Sequence, residues 1–85
     1  MTTHTEIAPG TRVKNSAIVI QRHRGDWLRC GREPAKTAYK TALDKATAQR
    51  GTLREWRDGK FSRFAVVDWD GGIESQCCPS RIEPA

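Results

Sequence analysis

The residues best suited to chemistry lie near the front of the chain, where Gln21-Arg22-His23-Arg24 is followed by Arg29 and Arg32 with Trp27 between them. Four arginines fall within eleven residues, and Asp26 is the one acid among them. Guanidinium forks match the oxygens of a phosphate, and an indole face can stack on a base. Lys36, Lys40 and Lys45 extend the positive charge into the segment that follows. The nucleic-acid-binding set expected on this basis is Arg22, Arg24, Trp27, Arg29, Arg32, Lys36 and Lys40. Its partner is DNA or RNA, or else an acidic protein surface. The plainer alternative is a solvated loop whose Trp27 is buried in the core. A second basic group, Arg54, Arg57, Lys60 and Arg63, surrounds Asp58-Gly59, although such charges also guard the edges of sheets.

Catalytic and metal chemistry find less to use. Ser62, Ser75, Ser80 and the cysteines are nucleophiles, but His4 stands in a polar lead-in and His23 in the arginine cluster, neither with an evident orienting acid. No glycine-rich phosphate cradle is present. Cys30, Cys77 and Cys78 form no C-x-x-C pair, and the histidines fall at no ligand spacing. A non-enzymatic protein without metal or cofactor is therefore expected. Trp56, Phe61, Phe64 and Trp69 are enough aromatics for a cage around a methylated cation, but the same rings more commonly fill a core.

Composition narrows the class. The 85 residues carry 15 Lys and Arg against 10 Asp and Glu, a net charge of +5. From Thr11 to Arg32 there are six bases and one acid, whereas from Ala65 to Ala85 there is one base against four acids. Positive charge on the leading part suits a polyanionic partner. Hydrophobic residues make up 36%, but nine are alanines and only 14 are Leu, Ile, Val or Phe. The core must be shallow and lean on the three tryptophans, with self-association as a further source of burial. The longest apolar run, Ala17 to Ile20, is too short to cross a bilayer, so no membrane partner is expected. A polar start without a signal pattern and an odd set of cysteines point to the cytoplasm.

The elements that must position these groups follow from local pattern. Residues 1–9 read as a flexible lead ended by Pro9-Gly10, and residues 10–85 as a single domain. Thr11 to Ile20 reads as a strand with an Asn15-Ser16 irregularity, broken by Arg22 to Gly25. A helix is expected over about 35–50, opened by Pro34 and closed by Gly51. Its apolar stripe is Ala38, Tyr39, Ala42, Leu43 and Ala46. Beyond it, Thr52–Trp56, Phe61–Trp69 and Ile73–Cys77 alternate as strands, joined by turns at Asp58-Gly59 and Asp70-Gly71-Gly72. Pro79-Ser80-Arg81 suits a 3₁₀ turn before a short strand at Ile82.

Gly10-Thr11-Arg12-Val13, Val66-Val67-Asp68-Trp69-Asp70-Gly71-Gly72 and Cys78-Pro79-Ser80-Arg81-Ile82 together resemble the SH3-like small barrels, as in Tudor and KOW domains. Small bacterial, phage and plasmid proteins often end in this way. The resemblance implies a mainly β, five-stranded barrel with the one helix inserted after the first strand. It carries no activity with it. The functional expectation is a binding module for nucleic acid. The alternative is an adaptor or inhibitor from a mobile element that binds a host protein.

Overall fold

The computed structural model describes residues 7–85. Five strands form one antiparallel sheet in the order β4-β3-β2-β1-β5. They are β1 Arg12–Asn15, β2 Arg50–Asp58, β3 Arg63–Trp69, β4 Ile73–Cys77 and β5 Ile82–Pro84. Two helices, α1 Ala17–Arg29 and α2 Ala35–Ala48, fill the connection from β1 to β2, and a 3₁₀ turn at Pro79–Arg81 leads into β5. The strands expected after residue 51 all form. Gly71 takes a φ of 101° in the turn between β3 and β4, as the Asp-Gly-Gly signal requires.

Several expectations are corrected. The protein is mixed α/β: its helices of 13 and 14 residues rival the strands in length. The sheet also stays open, because β4 and β5 stand at opposite ends of the order and do not pair. The single inserted helix is in fact a helical hairpin. Residues 17–20, expected as the end of a strand, open α1, and the expected break at Arg22–Gly25 lies inside it. The β-branched run Ile18-Val19-Ile20 misleads because its period is helical: Val19, Ile20, His23, Asp26 and Trp27 are half-buried along one side of α1. Ser16 is the N-cap, with ψ at 167°. Its hydroxyl donates to the carbonyl of Ser80 at 2.6 Å, and its N–H donates to the carbonyl of Arg81 at 2.9 Å. The helix start is thus pinned to the 3₁₀ turn.

On α2 the expected stripe is only partly used. Leu43 and Ala46 are buried and Ala42 half-buried, while Ala38 and Tyr39, nearer the hairpin tip, are exposed. The helix ends at Ala48, short of the expected 50, with Gln49 as its cap. Gly51 is a strand residue and not the helix stop, placed opposite Trp69 where a larger residue would meet the indole.

One sheet face holds the core. Val13, Leu53, Ala65, Val67, Trp69, Cys77 and Ile82 form a buried cluster, with Ile7 and Trp56 packed against it. Trp56 donates through Nε1 to the carbonyl of Ile7 at 2.8 Å, and Gly10 N–H donates to the carbonyl of Leu53 at 2.7 Å. The described end of the expected lead is therefore tied to the sheet; residues 1–6 lie outside the described residues.

The opposite face is a ladder of ion pairs. Arg12 forms a two-pronged pair with Asp70, at 2.9 and 2.5 Å. Arg54 reaches Asp68 at 2.5 Å and Glu74 at 3.0 Å. An irregularity in the β2–β3 register between Leu53 and Glu55 occurs at Arg54 itself.

Candidate functional site

Helix geometry decides what the arginine cluster can be. Two residues apart on an α-helix means about 160° of separation around the axis, so Arg22 and Arg24 face away from each other. Arg29, seven residues on from Arg22, returns to within about 20° of it. The expected single patch is thereby split into two flanks of α1.

The seven residues of the expected set have different surroundings. Arg22, Arg24 and Arg32 are exposed and, among the described residues, make no ion pair. Arg29 is held by Asp26 at 3.0 Å. Lys40 pairs with Asp44 at 2.8 Å and also stands over the Trp27 ring, 5.1 Å from its centroid. Lys36 lies 6.0 Å from the same ring centre. Trp27 is half-buried between the helices with ammonium groups over it, an arrangement that fastens α1 to α2 through cation–π attraction.

The larger concave surface is the seam between the helical hairpin and the sheet. Three adjoining concavities lie along it, of about 660, 330 and 250 Å³. His23 borders the first two, Gln49 the first and third, and Val19 and Arg81 the second and third. The bases on this seam are Arg22, Lys45, Arg50 and Arg81. The acid is Asp70, already held by Arg12. Arg50 donates to the carbonyls of Thr47 and Gln49 at 2.9 and 2.8 Å, which fixes its position at the end of α2.

Sequence reasoning missed Arg50, Arg81 and the role of His23. Arg50 looked like a helix terminus and Arg81 like a turn residue, and no local pattern joins residues 22, 50 and 81. The Ser16 cap followed by apolar residues three and four apart was the available signal for α1, and through it for the place of His23.

The electrostatics separate the two sides of the molecule. Among the described residues, Asp26, Asp44, Glu55, Asp58, Asp68, Asp70 and Glu74 each lie within ion-pair distance of a base. Hydrogen bonds from Arg54 hold the Asp68 carboxyl below its usual value, and Arg12 does the same for Asp70. The outer sheet face is consequently neutralised, and the second basic group around Asp58-Gly59 is partly neutralised by Glu55 with Arg57. Positive charge without an ion pair among the described residues remains on α1 and the seam, at Arg32 of the hairpin loop beside Glu33, and at Lys14 of β1 and Lys60 after β2.

Burial pushes the Cys77 thiol up from its usual value, away from the reactive thiolate. Among the described residues, no group of three His, Cys, Asp or Glu could hold a metal ion, and no helix is long and apolar enough to cross a membrane. The chain matches no protein-family model, no curated protein and no solved structure.

Proposed function

We propose that the protein is a non-enzymatic binding module for nucleic acid, with phosphates held along the seam and on the two flanks of α1. The observation that carries this reading is the charge balance. Acids neutralise the outer sheet face, whereas Arg22, Arg24, Arg32, Lys45 and Arg81 have no acid partner among the described residues. Unpaired arginines attract a polyanion and release its condensed counterions on binding. Trp27 contributes by holding the hairpin together beneath Lys36 and Lys40. The strand order, with a 3₁₀ turn ahead of the last strand, supports an SH3-like origin in which the sheet has opened around an enlarged first loop. That origin carries no activity with it.

The test is binding of labelled single- and double-stranded oligonucleotides at two salt concentrations. Affinity that falls steeply with salt supports the reading. No measurable affinity at low salt for either form overturns it. A second reading, an adaptor or inhibitor that docks on a host protein, draws on exposed apolar residues of the hairpin, Ile18 and Leu28 on α1 and Tyr39 on α2. Salt-insensitive capture of a protein partner, unaffected by nuclease, would favour it.

A further inference from the structure

We infer that the concavity of about 330 Å³ between α1 and the 3₁₀ turn is a pocket for a terminal phosphomonoester, so that the protein prefers nucleic-acid ends bearing phosphate over internal backbone. The inference rests on the nucleic-acid reading and assigns one part of that surface a distinct ligand group.

Arg22 from α1 and Arg81 from the turn line the same hollow, with His23 beside them and Ser80 at its edge. No acid lines it, and neither arginine makes an ion pair among the described residues. Like charges gathered around one concavity repel each other, and an anion placed between them relieves that repulsion. The Ser80 hydroxyl and two guanidiniums supply donors in number enough for the three oxygens of a phosphomonoester.

The frame is rigid before any ligand arrives. Ser16, the cap of α1, donates its hydroxyl to Ser80 and its N–H to Arg81, at 2.6 and 2.9 Å. Arg81 N–H in turn donates to the carbonyl of Cys78 at 2.9 Å. These bonds hold the backbone of the turn against the helix start, so the positions from which Arg22 and Arg81 reach the hollow are set before a ligand arrives, and only their side chains have to be ordered on binding. Val19 and Ile18 supply an apolar side suited to the adjoining sugar. A terminal monoester carries about −1.5 to −2 near neutral pH, against −1 for an internal diester, so a pocket with two unpaired arginines favours the end.

The experiment compares one oligonucleotide sequence with a 5′-phosphate, a 3′-phosphate or hydroxyl ends, using fluorescence anisotropy. The wild-type protein should bind a phosphorylated end about tenfold more tightly than the hydroxyl form, the scale of added charge-assisted bonds. Arg22→Ala with Arg81→Ala should bring that ratio to about one. Arg24→Ala, on the other flank of α1, should weaken both forms while keeping the ratio. Equal wild-type affinity for phosphorylated and hydroxyl ends overturns the inference and leaves the nucleic-acid reading standing. So does a ratio that survives the double substitution.

If neither oligonucleotide binds, the nucleic-acid reading fails, and inorganic phosphate and adenosine monophosphate decide the pocket alone. NMR shifts at His23 and Ser80 induced by adenosine monophosphate that vanish in the double variant would assign it to a free phosphomonoester. No shifts at those residues overturn it.

Discussion

Replacing Gly51 with alanine tests how the sheet and its core are joined. Gly51 is buried in β2 and pairs with Trp69 of β3. A methyl group there would stand 2.8 Å from Cε3 of Trp69, 2.9 Å from the carbonyl oxygen of Asp68 and 2.9 Å from Cγ1 of Val67. None of the three can move freely. Asp68 O is backbone within a paired strand, Val67 is fully buried, and Trp69 is 6% exposed and packed in the core cluster. The contact therefore has to be relieved by shifting β2 against β3 or by turning the indole, the usual cost of overpacking a filled site.

That cost is about 1–3 kcal/mol. For a domain of this size it corresponds to a fall in Tm of about 4–24 °C. Urea unfolding followed by tryptophan fluorescence and by circular dichroism measures it, with the near-ultraviolet signal reporting the Trp69 environment directly. A midpoint unchanged from wild type would refute the close packing of Gly51 beneath Trp69 and the β2–β3 register with it.

Gly25→Ala should act in the opposite direction and stabilise by about 0.5–1 kcal/mol, because Gly25 lies inside α1 and a methyl group meets only the flexible Arg29 guanidinium at 3.5 Å; destabilisation in thermal melts would contradict the helix. Leu43→Asp should cost about 2–5 kcal/mol or more, since it removes a buried contact of α2 and leaves a charge unpaired; melts over a concentration series would also reveal any dimer, whose Tm alone rises with concentration. Changing Arg22 and Arg24 together to alanine should lower the salt slope of nucleic-acid binding by about two units with little loss of stability; an unchanged slope would remove both from the interface. The lowered carboxyls of Asp68 and Asp70 contribute stability that is present above their unfolded value of 3.8 and is lost as pH falls through their lower folded values. Acid unfolding should therefore be steeper in the wild type than in the Asp68→Asn, Asp70→Asn variant, and identical profiles would show that the ladder adds nothing.

Much of the sheet was legible from residue order. The β-rich apolar run from Phe64 to Trp69, the Asp70-Gly71-Gly72 turn and Pro79-Ser80-Arg81 each act locally, through strand propensity, positive φ and the fixed φ of proline. The middle of α2 was legible for the same reason, since alanine-rich periodicity needs no partner to declare itself. The charge total, and the concentration of bases between Thr11 and Arg32, are likewise properties of the sequence alone.

Tertiary structure decided the rest, because the competing local signals were nearly balanced. Ile18-Val19-Ile20 favours a strand by propensity, and the packing of α1 on α2, with Trp27 beneath Lys36 and Lys40 and Ser16 tied to Ser80 and Arg81, makes it a helix. Gly51 reads equally as a helix stop or as a small strand residue until Trp69 is placed over it. Closure of the sheet depends on whether its two end strands meet, a long-range matter that no local pattern encodes. The candidate site is of this kind as well. Arg22, Arg50 and Arg81 are far apart in the chain, and only the seating of the helical hairpin on the sheet brings them to one seam, while acids across the strands neutralise the arginines that the sequence shows as their equals.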